Sequence, residues 1–122
     1  MTSHDPQLDN LPVLDDKAIA RLRQDMGADA DLVIESYIES IVELLELIDQ
    51  RDESTLESDL HRWAHTIKSS ANGIGALRLA HMAASVEEAF RDRIEIDLRL
   101  SLAQMRDEYR QVTELCRGPG CD

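Results

Sequence analysis

The chain has 122 residues, enough for one compact domain with a single core. Its 13 Lys and Arg stand against 25 Asp and Glu, a net charge of −12. That balance argues against nucleic acid or an anionic membrane surface as the main partner, since both have to be met with clustered cations. Aromatic residues make up only 3%, so the core must be aliphatic, which favours helix over sheet.

No stretch approaches the roughly 18 consecutive apolar residues of a membrane span. Met1 to Pro12 has neither the basic start nor the apolar run of a signal peptide. Residues 1–13 are expected as a flexible lead-in, 14–117 as one folded domain and 118–122 as a flexible tail. Cys116 and Cys121 lie together at the C-terminal end. A disulfide there would close only a very short loop, and two cysteines cannot complete a zinc site alone, so both read as reduced thiols of a cytoplasmic protein.

No proline falls between Pro12 and Pro119, and outside the tail the glycines are confined to Gly27, Gly73 and Gly75. Breakers so sparse leave room for long helices. The first helix is expected from Asp15 to Met26, with Ile19, Leu22 and Met26 at helical spacing and Gly27 as its stop. The second spans Asp29 to Arg51, where Ile34, Tyr37, Ile38, Ile41, Leu44, Leu45 and Ile48 recur every three or four residues. Ser54 opens the third, with Glu57 completing a capping box, and that helix runs to Asn72, where Gly73 and Gly75 break it, the extra Gly73 being expected to end it slightly early. An alanine-rich fourth helix follows from Ala76 to Arg91. The fifth, Glu95 to Cys116, carries Leu98, Leu102, Met105, Tyr109, Val112 and Cys116 on one face. Short links between long amphipathic helices make neighbours antiparallel. The expected fold is therefore all-α: an antiparallel up-down four-helix bundle with the short N-terminal helix as a cap.

Chemistry concentrates in Leu60 to Leu77, LHRWAHTIKSSANGIGAL. At about 100° per residue, Leu56, Leu60, Trp63, Ala64, Ile67 and Ala71 form one arc facing the bundle. His65 points roughly 150° from the centre of that arc, and His61, Lys68, Ser69 and Asn72 share its outward side. Ser70 turns toward the core edge. An exposed imidazole keeps a nucleophilic nitrogen available near neutral pH. An ammonium at i+3, Lys68, can reach an anion carried on that ring. A small residue at i+4, Ser69, leaves room for another protein to approach.

These residues resemble the histidine-containing phosphotransfer (Hpt) domain family, whose pattern His-x-x-Lys-(Gly/Ser) reads here His65-Thr66-Ile67-Lys68-Ser69. The family's later Gly-Ala-x-x-Leu stretch reads Gly75-Ala76-Leu77-Arg78-Leu79. Ala64 before the histidine, the Leu14-Asp15 start and the acidic Val86-Glu87-Glu88 stretch extend the likeness over most of the chain. Ser69 departs from the commoner glycine but is still small. The resemblance implies a phosphoryl carrier: a receiver-domain phosphoaspartate donates to His65 and a second receiver takes the group onward. It further implies Lys68 as charge support, Gly75 as the turn residue, and His61, Ser69 and Asn72 as docking positions. The partners it implies are response-regulator receivers or a hybrid sensor kinase. The receiver supplies Mg²⁺, and this chain, a monomer, needs no cofactor of its own. No Gly-rich phosphate cradle or metal-binding carboxylate motif is present, so the chain is not expected to use ATP itself.

Two other classes compete. A non-phosphorylated helical adaptor would dock a signalling partner without using the imidazole. A metal hydrolase would use His61 and His65 at i, i+4, but Arg62 stands where a zinc protease carries its glutamate. His81 has no motif support and reads as structural or exposed. The acidic residues of the second and fifth helices read as solvated faces.

Overall fold

The computed structural model describes residues 6–117. Pro6–Asn10 forms a short 3-10 turn, followed by α1 (Asp16–Met26), a second 3-10 turn (Gly27–Asp29), α2 (Ala30–Asp49), α3 (Glu57–Gly73), α4 (Leu77–Arg91) and α5 (Leu98–Arg117). Each of the four long helices buries a stripe spaced three and four residues apart. On α2 the stripe is Ile34, Ile38, Ile41, Leu45 and Ile48. α3 adds Leu60, Ala64, Ile67 and Ala71, α4 adds Leu79, Ala80, Ala83 and Val86, and α5 adds Leu102, Met105 and Val112. α3 packs on α2 and α4, and α5 closes the ring against α4 and α2. The result is an antiparallel up-down four-helix bundle.

α1 caps one end. Asp15 is its N-cap, accepting from the Lys17 N–H, and Val13, Leu14, Ile19 and Leu22 pack on the core. The same residue ties α1 to the α3–α4 turn, because the Asp15 N–H donates to the Gly75 carbonyl at 2.7 Å. That turn is a Schellman closure. The Ala76 N–H returns to the Ala71 carbonyl at 2.8 Å and the Gly75 N–H to the Asn72 carbonyl at 3.1 Å, with Gly75 at φ 75°. A Cβ at Gly75 would lie 2.6 Å from the Ala18 Cβ, so glycine is required both for the left-handed conformation and for α1 to come this close.

Several local expectations are corrected. The capping box at Ser54 and Glu57 does not form. Both the backbone N–H and the hydroxyl of Ser54 donate to Asp52 Oδ1, at 2.8 and 2.6 Å, while the Asp52 N–H donates to Thr55 Oγ1 at 3.0 Å. This self-satisfied loop competes successfully with the helix terminus, so α3 opens later, with Leu56 as an N-cap that makes no side-chain bond. Leu56 is accordingly 61% exposed rather than part of the core arc. Gly73 does not shorten α3 but forms its last residue, where a Cβ would meet the Tyr37 ring at 2.8 Å. α5 starts at Leu98, after Asp97 accepts the Leu100 N–H through its side chain.

Within the expected lead-in, the Leu8 carbonyl accepts a hydrogen bond from Arg78 Nη1. Arg78 Nε donates in turn to Glu108 Oε1 at 3.2 Å. Glu108 is 2% exposed, so this acid of α5 is not on a solvated face; it ties α5 to the first turn of α4. Cys116 is half-buried against the core, whereas Cys121 and the rest of the expected tail lie outside the described residues. Among the described residues no helix is long and apolar enough to cross a membrane.

Candidate functional site

The site lies on the seam between α3 and α4. α3 holds its core stripe against the bundle, which turns the opposite edge outward: His65, Ser69 and Asn72 are exposed, and His61 and Lys68 are half-exposed. Trp63 packs partly buried against the core, as its place in the stripe predicts. His81 belongs to a separate place on α4, where it lines a small hollow with Leu8, Met82 and Gln104.

Across the seam stands Glu87 of α4, and it organises the cluster. His65 Nδ1 lies 2.6 Å from Glu87 Oε2, and Lys68 Nζ donates to Glu87 Oε1 at 2.6 Å. His61 Nε2 sits 3.7 Å from the same Oε2. The carboxylate side chain is 9% exposed, against 53% for His65 and 30% for Lys68. Burial by itself pushes the Glu87 carboxyl up, but the hydrogen bonds and charges of Lys68 and His65 together outweigh it and hold the group below its ordinary value.

An ionised carboxylate can only accept, so the proton between Glu87 and His65 sits on Nδ1. In the neutral ring the tautomer follows: the lone pair is on Nε2, the nitrogen turned away from the carboxylate. The ring is held at one nitrogen and presented at the other, on a rigid helix rather than a loop.

The residues singled out from the sequence thus fall on one outward edge, and Gly75 closes the turn that sets α3 against α4. In the sequence Glu87 stands out only as part of the acidic Val86-Glu87-Glu88 stretch. A helical count places it on the inward face of α4 with Leu79, Ala80, Ala83, Val86 and Phe90, but that count does not say which helix the face meets. A lone carboxylate at a core position is a stronger functional signal than acidity on a solvated face. Lys68, expected to face an anion on the imidazole, rests on Glu87 in this state.

Fold and site define a helical bundle that holds one exposed imidazole by a single ring nitrogen. Comparison with known proteins gives the family. The Hpt domain profile matches residues 32–115, from the first turn of α2 almost to the end of α5. The chain belongs to the Hpt domain family, the histidine phosphotransfer modules of two-component phosphorelays. Among solved structures it is similar to the crystal structure of histidine-containing phosphotransfer protein B (HptB) from Pseudomonas aeruginosa PAO1, with TM-score 0.80 and 24% sequence identity. The match covers 87% of this chain and 92% of that one, and at this identity it establishes a shared fold. No curated protein sequence matches the chain.

Proposed function

We propose that His65 is the phosphorylated residue and that its Nε2 takes the phosphoryl group from a receiver-domain phosphoaspartate and returns it to another receiver. The observation that carries this reading is the 2.6 Å contact between His65 Nδ1 and Glu87, which in the neutral imidazole puts the proton on Nδ1 and the lone pair on Nε2 of an exposed side chain. The Nε2 lone pair attacks phosphorus, the acyl-phosphate P–O bond breaks, and the aspartate carboxylate leaves. Nδ1 keeps its proton throughout, so the phosphorylated ring bears a positive charge facing Glu87. That charge also makes the ring a good leaving group for the onward transfer.

Lys68 can exchange Glu87 Oε1 for a phosphoryl oxygen, because a charge-assisted bond forms with either acceptor. The receiver supplies Mg²⁺ and most of the electrostatic stabilisation that phosphoryl transfer demands. This chain contributes the nucleophile, its orientation and a docking edge that includes His61, Ser69 and Asn72. It turns over no ATP of its own, acts as a monomer in the cytoplasm, and meets free-standing receivers or those of a hybrid sensor kinase through a small transient interface.

The test is transfer of label from a phospho-receiver with Mg²⁺ to the wild type and to His65→Gln. Acid-labile, base-stable label on the wild type alone is the expected result. Label on both proteins would move the acceptor to another histidine, and failure across a panel of receivers would leave a docking role without phosphorylation.

A further inference from the structure

Glu87 Oε2 faces two imidazoles. His65 Nδ1 holds it at 2.6 Å, and His61, one turn earlier on the same face of α3, brings Nε2 to 3.7 Å, within ion-pair reach but beyond a hydrogen bond. Lys68 already occupies Oε1. The oxygen that His61 approaches is thus the one that orients His65, and closing by about 1 Å to the usual charge-assisted distance would make the contact a hydrogen bond. The charged groups bearing on this carboxylate are His61, His65 and Lys68 from α3 and, on its own helix, Arg91, which is paired with Asp92.

We infer that His61 is a positioning residue that acts on His65 through the shared carboxylate, so that a positive charge at position 61 slows phosphoryl acceptance. Neutral His61 leaves Oε2 to His65. Protonated His61 draws on the same oxygen and sets a like charge one turn from the reacting ring, which weakens the Nδ1–H···O bond and makes Nε2 a poorer nucleophile. The inference rests on the reading of His65 as acceptor and deepens it.

Two variants separate charge from shape. His61→Gln is neutral at every pH, and its transfer rate at saturating receiver should fall less on acidification than that of the wild type. His61→Lys stays charged and should transfer several-fold more slowly even at alkaline pH, with the loss in the maximal rate rather than in half-saturation. Indistinguishable pH profiles for the wild type and His61→Gln would overturn the inference. So would a change confined to half-saturation, which marks plain docking. A second measurement needs no phosphorylation: in ¹⁵N NMR titrations, His65 Nδ1 should report the protonation of His61, and the coupling should vanish in Glu87→Gln. Coupling that persists in that variant overturns the role of the shared carboxylate. Absence of label on the wild type, by contrast, would overturn the carrier reading itself, whatever the titration shows.

Discussion

Glu87→Gln isolates the charge at the centre of the site, because glutamine keeps the shape and can still accept from His65 through its carbonyl oxygen. On the proposed mechanism the ring becomes cationic close to this side chain once Nε2 carries the phosphoryl group. Two unit charges about 4 Å apart attract by roughly 1 kcal/mol in water and roughly 4 kcal/mol at the effective dielectric of a protein surface. A ring 53% exposed against a carboxylate 9% exposed belongs between these limits. A loss of about 2 kcal/mol corresponds to roughly thirtyfold in rate. Stability should respond far less, since ion pairs to groups as solvated as His65 and Lys68 contribute about 0–1 kcal/mol. The assay is rapid-quench transfer from a labelled receiver at saturation, beside thermal denaturation of both proteins. A thirtyfold slower maximal rate with a nearly unchanged melting temperature is expected. Wild-type transfer by the variant would refute the role given to Glu87, and a rise in half-saturation alone would make it a docking residue.

Gly75→Ala combines a left-handed backbone, costing about 1–2 kcal/mol for a residue with a Cβ, with a contact that α1 must move to relieve. It should destabilise by about 2 kcal/mol or more in urea unfolding, and a change under about 0.5 kcal/mol would contradict the packing described. Arg93, at φ 56°, fills the left-handed position of the Schellman closure that ends α4, where the Ile94 N–H returns to the Ala89 carbonyl at 2.8 Å. Arg93→Gly should therefore stabilise by about 0.5–1 kcal/mol, seen as a higher denaturation midpoint; an unchanged midpoint would mean that the strain is absent. Glu87 is held below its ordinary value in the folded chain, so its contribution is fully present above the unfolded carboxylate range, about pH 4.3, and is lost as pH falls through the folded value. The stability gap between wild type and Glu87→Gln should be level at neutral pH and shrink in acid, and a gap that stays constant down to pH 3 would show that the carboxylate is not ionised by its partners.

Periodic apolar residues made most of the fold legible. The stripes of α2 and α5 contain little that competes with the 3.6-residue pattern, and every apolar position read from α5 is buried or packed on the core. Helix starts were less legible where polar side chains had a local alternative. Ser54 has the chemistry of a cap, yet Asp52 lies two residues away and offers a stronger acceptor for both of its donors. The outward edge of His65, Lys68, Ser69 and Asn72 followed from helical geometry alone. Glu87 did not, because its meaning depends on which face of α4 meets α3, and that is a tertiary fact.

The alanines of α4 connect that tertiary fact to the chemistry. Ala80 and Ala83 are buried and Ala84 is half-buried on the helix that meets α3. Small side chains let two backbones approach, and α3 has Ala64 and Ala71 buried in its own stripe. A glutamate on α4 is short, with only two methylenes to span the seam. Close approach is therefore what allows one carboxylate to meet His65 and Lys68 at 2.6 Å simultaneously. Larger residues at Ala80 or Ala83 would push the helices apart, and the carboxylate would lose one partner before the bundle lost its fold. The tight α3–α4 packing and the orientation of the imidazole are thus a single property of the sequence, and it is the spacing of the helices that makes His65 more than a surface histidine.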